Sequence, residues 1–333
     1  MTVFSSLRGT SSPTAAVEIA ATRVSGASLE WRGGQPALAA HALETLPEGA
    51  LVPSLTAANV VDRAAVSGAL GRVLERIGRP RRIALVVPDP VAKVSLITFE
   101  RVAPRAEDLD ELVRWQVRKT APFPIDEAQI SYAAGQQTPD GQEFVVSLAR
   151  RDVIVEYEQL AASEGAHAGI VDLATFNVIN AVLAAQHPSA TPAGDWLLVN
   201  VAPDYVTLAI LRGPHLIFFR NRAAETDGTL ADLVHQTAMY YEDRLSGGGF
   251  ERVLLAGAAG GGARHAGDVE LVRRSLQHRL TATVDTVDPR AAVALTDRIA
   301  AGPAFLDTLA PLVGVLLRGR EPGERSEPGK SVA

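Results

Sequence analysis

The chain has 333 residues, of which 47% are hydrophobic and 21% are charged. This composition is typical of a globular protein, and the length suffices for two domains or for one fold of two lobes. The formal net charge of -6 argues against nucleic acid as the main partner, because proteins that bind it usually present a basic face. We therefore expect no nucleic-acid partner.

Two absences limit the chemistry and the location of the protein. The chain has no cysteine for a disulfide or a thiolate metal site, and no two of its histidines share a helix at i, i+4 spacing beside an acid. Its first residues lack the apolar segment of a signal peptide, and no run of about 18 residues is apolar throughout. We predict a cytoplasmic protein without membrane insertion. Residues 319–333, which are charged and rich in proline and glycine, predict a disordered tail.

The first predicted elements form a meander, a helix and a buried strand. Short strands are predicted at AAVEIAA, near residues 28–32 and at PALAAHALE, with turn residues between them. Apolar residues at helical spacing predict an amphipathic helix from Asp62 to Ile77. The continuous apolar run RIALVVP is typical of a strand that is buried on both faces.

The second half of the chain has the same order of elements. The runs WLLVNVA, YVTLAIL and HLIFFRN predict three strands joined by short turns. A helix is predicted at residues 229–245, and the run ERVLLAG after it has the pattern of a buried strand. Although no repeat is visible at the residue level, this order predicts an α/β fold with two lobes of the same topology.

A helix that ends at two prolines distinguishes the piece between the two halves. Residues 107–119 predict an amphipathic helix with acids in its first turns and bases at its end, as the helix dipole favours. Pro122 and Pro124 then impose an extended corner, because each fixes φ and disfavours a helical conformation in the residue before it. A strand is predicted before this helix, at VAKVSLITF, and two strands, a helix and a last strand follow the corner. The resulting order β-α-β-β-α-β predicts a small split βαβ subdomain over residues 91–174.

The run EDLDELVRWQVRKTAPFPIDEAQISY resembles the signature region of the PilM family of type IV pilus assembly, in which a Pro-Phe-Pro corner follows a helix with an aromatic residue. The runs DVIVEYEQLAASEGAHAGIVDLATFNVINAV and QTAMYYEDRLSGGGFERVLLAGAAGG are similar to later units of that family. The resemblance covers about residues 14–318 and implies the two-lobed actin-like fold, which FtsA proteins share. The regions it implies are the start of the first lobe at 14–90, the inserted subdomain at 91–174, and the rest of the first lobe with the second lobe at 175–318.

In the actin-like fold a nucleotide lies between two hairpins with the signature Asp-x-Gly. The glycine lets the backbone approach the phosphates, and the aspartate orients Mg²⁺. The resemblance locates both hairpins here in altered form: Glu18 replaces Asp, Ala20 replaces Gly and Ser25 replaces Lys in the first, while Asn200 replaces Asp and Ala202 replaces Gly in the second. Pro203 also removes a backbone donor. These changes predict a degenerate site that binds Mg-ATP weakly or not at all.

A glycine-rich loop leaves the question of nucleotide open. Gly257 and Gly260, followed by Gly261 and Gly262, can cradle a phosphate, admit an adenine ring or form a plain loop. Two hypotheses follow, an adaptor without nucleotide and an ATP-binding conformational switch of the same fold. A sugar or acid kinase is a third, but Asp204 lacks the intact phosphate loop that such an enzyme needs. The altered hairpins favour the adaptor, and no catalytic residue or metal ligand is predicted.

The proline corner carries the residues that are predicted to bind a partner. Trp115 and Phe123 fit two compatible interpretations, as core residues of the small subdomain, which aromatics on a helix face usually are, and as the wall of a peptide groove. Asp126 and Glu127 are predicted to meet basic or backbone donors on that peptide. The resemblance implies that the peptide is the cytoplasmic N-terminal segment of a PilN-like single-pass membrane protein, lying between the small subdomain and the first lobe. The chain would then be peripheral at the inner membrane, with other components of a pilus or type II secretion-like machine.

Overall fold

The computed structural model describes residues 13–185, 194–224, 229–260, 269–280, 282–295 and 301–318. The predicted tail at residues 319–333 lies outside this part of the chain. Within it, the strands form two five-stranded sheets and one three-stranded sheet. None of the helices in these ranges combines the length and the apolarity needed to cross a bilayer.

The helices and strands follow one another along the described chain in this order. The first are β1 (Ala15–Ala20), β2 (Arg23–Arg32), β3 (Gln35–Thr45), α1 (Arg63–Arg76), β4 (Arg82–Val87), β5 (Ala92–Phe99) and α2 (Ala106–Arg118). Next come β6 (Ala128–Thr138), β7 (Gly141–Arg150), α3 (Arg151–Ser163), β8 (His167–Leu173), α4 (Ala174–Ala184), β9 (Asp195–Val201) and β10 (Tyr205–Arg212). The last are β11 (His215–Ala223), α5 (Leu230–Arg244), β12 (Arg252–Ala256), α6 (Val269–Leu280), β13 (Val284–Thr286) and α7 (Pro303–Leu317).

The first lobe is built on a sheet with the strand order β3-β2-β1-β4-β8. The strands β1 to β3 form the predicted antiparallel meander, while β4 and β8 add to it in parallel. Helix α1 begins where predicted, because the side chain of Asp62 accepts a hydrogen bond of 2.9 Å from the N–H of Ala65 and so caps the first turn. Apolar residues of α1 and α3 cover one face of the sheet, and α7 covers the other.

The second lobe has the same topology. Its strand order is β11-β10-β9-β12-β13, again a meander followed by two parallel strands. Helices α5 and α6 bury one face of this sheet. Apolar residues of β9 on the other face, Trp196 and Leu198, share a core with Phe176 and Ile179 of α4. The predicted duplication of meander, helix and buried strand is therefore present.

The small subdomain is an antiparallel sheet of order β5-β7-β6. Helix α2 packs on one face of it through Val113 and Val117, which contact a core that includes Phe144 and Leu148 of β7. The split βαβ prediction is wrong for its last strand, because β8 pairs with β4 in the first large sheet. The parallel pairing of β8 with β4, a strand buried on both faces, outweighs the closeness of β8 to the small sheet in the sequence. The region boundaries at residues 90 and 174 stay predictions, since strand pairing alone does not delimit domains.

Helices α4 and α7 cross at a very close contact between their backbones. A Cβ atom added to Gly314 of α7 would lie 1.7 Å from the carbonyl oxygen of Asn177 on α4, so this position accepts glycine only. At the end of α7, Arg318 forms a buried ion pair of 3.2 Å with Asp172, the penultimate residue of β8. The two apolar helices are thus fixed to each other and to the first sheet.

Candidate functional site

The first predicted hairpin is the turn between β1 and β2, and its acid, Glu18, is hydrogen-bonded to other side chains of the same hairpin. Glu18 and Ser25 are direct neighbours across the two strands, and both are buried. The hydroxyl of Ser25 donates to Glu18 Oε2 at 3.2 Å, and Arg23 Nη2 donates to the same oxygen at 3.1 Å. The carboxylate at the Mg²⁺-orienting position is therefore already neutralised by a guanidinium.

The same guanidinium links the two hairpins electrostatically. Asp204 lies in the turn between β9 and β10 of the second lobe, and burial raises the pKa of its carboxyl group. The positive charge of Arg23 acts in the opposite direction and lowers that pKa. The charge of Arg23 in the first hairpin is therefore felt at Asp204 in the second.

The backbone at the second hairpin offers few donors to a phosphate. The N–H of Ala202 donates to the carbonyl oxygen of Tyr205 at 2.9 Å within the turn, and Pro203 has no N–H. Ala202 and its counterpart Ala20 are both partly buried at the ends of their strands. Each methyl group stands where glycine would let the backbone approach a ligand closely.

Asn200, at the second Asp position, belongs to a hydrogen-bond network that joins the lobes. Its Nδ2 donates at 2.8 Å to the hydroxyl of Thr175 at the start of α4. Asp89, which follows β4, accepts from the hydroxyl of Thr175, from the N–H of Thr175 at 3.0 Å and from the hydroxyl of Thr207 on β10 at 2.6 Å. Asn221 Nδ2 on β11 completes the network with a bond of 2.9 Å to the Thr207 hydroxyl.

The charge at the centre of this network is fully buried. Asp89, Thr175 and Thr207 have no solvent exposure. Burial raises the pKa of Asp89 to about 6, the hydrogen bonds from the two threonines oppose the rise, and the nearby charge of Glu18 adds to it. The sequence reasoning missed Asp89, although an acid between two prolines directly after a doubly buried strand was an available signal.

The glycine loop after β12 is also occupied by contacts within the protein. Gly257 has φ of +77°, and a Cβ there would lie 2.0 Å from the carbonyl oxygen of Val201, so packing alone requires this glycine. The N–H of Ala259 donates at 2.8 Å to the carboxylate of Asp307 on α7. Gly260 ends the short 3-10 turn that follows Gly257. The predicted glycines at 261 and 262 lie outside the described residues.

The polar groups described in the cleft make hydrogen bonds within the protein. Glu18 accepts from Arg23, Asn200 donates to Thr175, and the N–H of Ala259 in the glycine loop donates to Asp307. In the described ranges, no group of three or more histidine, aspartate or glutamate side chains is arranged to hold a metal ion. The cleft is arranged as a contact between lobes.

The proline corner presents one aromatic to solvent and buries the other in part. The side chain of Trp115 is 56% exposed, with the ammonium of Lys119 3.8 Å from the ring centroid. The expectation that Trp115 is a core residue is therefore wrong. Phe123 is partly buried and packs against the core of the small subdomain, which includes Val117 and Phe144. The helix ends before the prolines, as predicted.

The two predicted acids are exposed as well. Asp126 and Glu127 lie in a 3-10 turn, Ile125–Glu127, and both are open to solvent. Arg114 of α2 donates at 3.0 Å to the carbonyl oxygen of Ile125 and so ties the turn to the helix. The corner is thus a fixed edge with an exposed aromatic and two exposed carboxylates.

At the junction between the small subdomain and the first lobe, side chains at the start of α3 bridge the two parts. Arg150 donates to the carbonyl oxygen of Thr56, in the loop between β3 and α1. Arg151 donates at 3.2 Å to the carbonyl oxygen of Ala128, the first residue of β6. The first lobe and the small subdomain are thus joined by side-chain hydrogen bonds at this junction.

Comparison with solved structures supports the architecture. A chain of a PilM-PilN type IV pilus biogenesis complex is 18% identical, with a TM-score of 0.76 over 92% of this chain and 98% of that chain. A Bacteroides thetaiotaomicron protein with an actin-like ATPase fold and unknown function is 8% identical, with a TM-score of 0.47 over 81% of this chain and 89% of that chain. The cytoplasmic domain of EpsL, an inner membrane component of the type II secretion system of Vibrio cholerae, is 10% identical, with a TM-score of 0.46 over 72% and 80%.

The first of these matches, together with the duplicated strand order, confirms the predicted actin-like fold. Residues 16–244 match the model of the family described as type IV pilus assembly protein PilM. This match spans more than half of the chain and includes both hairpins and the whole small subdomain. The chain therefore belongs to the PilM family of type IV pilus assembly proteins.

Proposed function

We propose that the chain is an adaptor in a type IV pilus assembly complex and that it holds a PilN-like membrane protein by the cytoplasmic N-terminal segment of that partner. Membership of the PilM family supports the choice of machine. The fold shared with a chain of a PilM-PilN complex supports the class of partner. In this role the chain is cytoplasmic and reaches the inner membrane through its partner, beside other inner-membrane components.

The adaptor works without Mg-ATP, and the bonded state of the cleft is the observation that supports this. Glu18 and Asn200, at the two positions where the fold uses aspartate, hold Arg23 and Thr175 instead of a hydrated metal. The loss of both glycines removes close backbone approach as well. A combined loss of about 2.7 kcal/mol corresponds to a roughly hundredfold weaker affinity.

Calorimetric titration with Mg-ATP tests this part of the proposal. The unchanged chain is expected to give no heat of binding at micromolar nucleotide, and the combined change Ala20→Gly, Asn200→Asp and Ala202→Gly is expected to restore measurable affinity. Micromolar binding by the unchanged chain would contradict the degenerate site and revive the ATP-switched alternative.

The proposed docking surface consists of Trp115, Asp126 and Glu127, with Phe123 as a positioning residue beneath them. An exposed indole next to a fixed edge is well suited to anchor a peptide, because aromatic anchors contribute area at little entropic cost. The two carboxylates are exposed to solvent and can accept hydrogen bonds from basic side chains or backbone N–H groups of the peptide. Partly buried Phe123 holds the corner in place.

Fluorescence anisotropy with a labelled N-terminal peptide of the host's PilN-like protein tests the surface. Trp115→Ala is expected to weaken binding at least about tenfold, as loss of an anchor worth about 1.4 kcal/mol or more would. Changing Asp126 and Glu127 to Lys is expected to weaken it further and to change its salt dependence. The matched control is Tyr240→Ala, because this aromatic is 41% exposed on α5 of the second lobe.

The outcomes distinguish where the peptide docks from whether it binds at all. Unchanged affinity in both corner variants, with the control also unchanged, would show that the peptide docks elsewhere on the chain. No binding by the unmutated chain would contradict the PilN-like partner itself.

A further inference from the structure

We propose that the buried cluster of Asp89, Thr175, Asn200, Thr207 and Asn221, here called the interlobe latch, holds the two lobes in one arrangement and couples that arrangement to the small subdomain. In an actin-like protein that binds ATP, the nucleotide between the lobes can serve this purpose. In this chain the side chains themselves bridge the lobes.

The latch has members on both sides of the cleft. Asp89 follows β4 in the first lobe, whereas Thr207 and Asn200 belong to β10 and β9 in the second. The bond of 2.6 Å from Thr207 to Asp89 crosses directly between these parts, and the bond of 2.8 Å from Asn200 reaches Thr175 of α4, which itself donates to Asp89. The second lobe is thus bonded to Asp89 both directly and through Thr175.

Burial makes the latch specific for one geometry. Asp89, Thr175 and Thr207 are fully shielded from solvent, and the Asp89 carboxylate takes three hydrogen bonds from the two threonines. If the lobes moved apart without water entering, a buried charge would lose a donor, and such a loss is costly in a medium of low dielectric constant. The lobes therefore stay in this arrangement or open the cleft to solvent.

Chain connectivity transmits this position to the small subdomain. Asp89 is the first residue of a 3-10 turn, Asp89–Val91, and β5 begins at the next residue. A displacement of Asp89 therefore displaces the root of the strand that opens the small sheet. A second connection runs through β11, which carries Asn221 and contacts both β5 and β6.

The absence of cysteine allows a clean measurement of these positions. Spin labels on cysteines introduced at Glu75 of α1 and Glu242 of α5, both exposed, report the distance between the lobes. A second pair, at exposed Glu111 of α2 and again at Glu75, reports the position of the small subdomain relative to the first lobe. Pulsed electron–electron double resonance gives the distance distribution of each pair.

Thr207→Val removes the hydroxyl and keeps the shape of the side chain, and Thr207→Ser is its matched control. The valine variant is expected to shift both distributions to longer distances or to add a second population, and the serine variant is expected to leave both as they are in the unmutated chain. Asn221→Ala, at a partly buried position, serves as the second variant if Thr207→Val does not fold. It is expected to give the same change to a smaller extent.

Unchanged distributions of both pairs in a folded variant would overturn the latch. A change between the lobes without any change at the small subdomain would overturn the coupling. The measurement contains neither nucleotide nor partner peptide, so its failure is distinct from a failure of the proposed docking function.

Discussion

The hydroxyl of Thr207 donates a hydrogen bond of 2.6 Å to the carboxylate of Asp89, although the two residues belong to different lobes and lie 118 positions apart in the chain. The bond is buried, and its acceptor is an acid with no solvent exposure. A single methyl-for-hydroxyl exchange therefore tests the proposed role of this contact in holding the lobes together.

Thr207→Val is expected to lower the free energy of unfolding by about 1.5 to 3 kcal/mol, because a hydrogen bond to a buried charged group is lost. Thr207→Ser keeps the hydroxyl and loses one methyl group, so about 1 kcal/mol is expected. Urea denaturation of the three proteins measures both differences. A valine variant as stable as the unmutated chain would show that the hydroxyl contributes nothing.

The stability of the chain is expected to depend on pH through Asp89. Burial raises its pKa from 3.8 to about 6, against the hydrogen bonds of Thr175 and Thr207, while the charge of Glu18 adds to the rise. Tyr205 faces the same acid, and its own pKa is raised by burial and by Asp89. Between pH 3.8 and about 6, the folded state keeps a proton on Asp89 that the unfolded state has released. The contribution of Asp89 is therefore complete below about pH 4 and is lost as the pH rises through 6.

Asp89→Asn separates this effect from those of the other buried acids. Burial also raises the pKa of Asp172 and of Asp204, so the unmutated chain carries several contributions of the same sign. The difference in unfolding free energy between the unmutated chain and Asp89→Asn is expected to shift in favour of the variant as pH rises, by at most about 1.4 kcal/mol per pH unit. Parallel pH profiles of the two proteins would rule out titration of Asp89 in this range.

The ion pair at the end of α7 is expected to matter far more than an ion pair on the surface. Arg318→Ala leaves the buried charge of Asp172 without its partner, and about 3 to 5 kcal/mol of unfolding free energy should be lost. Arg274→Ala is the matched control, because it breaks an exposed pair with Glu270 and should cost less than about 1 kcal/mol. Similar losses for the two variants in urea denaturation would contradict this difference.

Gly314→Ala is expected to disrupt the crossing of α4 and α7. The new methyl carbon would lie 1.7 Å from the carbonyl oxygen of Asn177, so the helices must separate, at a cost of about 1 to 3 kcal/mol or more. Gly302→Ala, at the N-cap of the same helix, meets no atom within 4 Å and should cost at most about 1 kcal/mol, because alanine is a poorer N-cap than glycine. Differential scanning calorimetry compares the two, and equal melting temperatures would contradict the close crossing.

Local chemistry in the sequence was enough to predict the helices with clear boundaries. Asp62 and the two prolines at 122 and 124 act within a few residues of themselves, and α1 and α2 begin and end within one residue of the predicted positions. The exposure of Trp115 was also accessible in principle. It lies two positions from both Val113 and Val117, so it points to the opposite side of the helix from that buried stripe.

Features that depend on distant pairing could not be predicted in this way. Strand β8 joins β4 only because the chain returns after the entire small subdomain, and no local pattern encodes that return. Asp89 meets Thr175 across 86 positions for the same reason. Helix α7 was not predicted, because it is apolar on all sides and contains Pro311, so its sequence shows no amphipathic period.

The most direct test of the central claim, an adaptor that holds its partner without nucleotide, is an anisotropy titration of the labelled PilN-like N-terminal peptide in the presence and in the absence of Mg-ATP. We predict saturable binding with the same affinity under both conditions, because the groups at the predicted nucleotide positions are bonded within the protein, Asn200 to Thr175 and Arg23 to Glu18. Binding that appears or changes severalfold only with Mg-ATP would contradict this claim and identify the chain as a nucleotide-controlled switch.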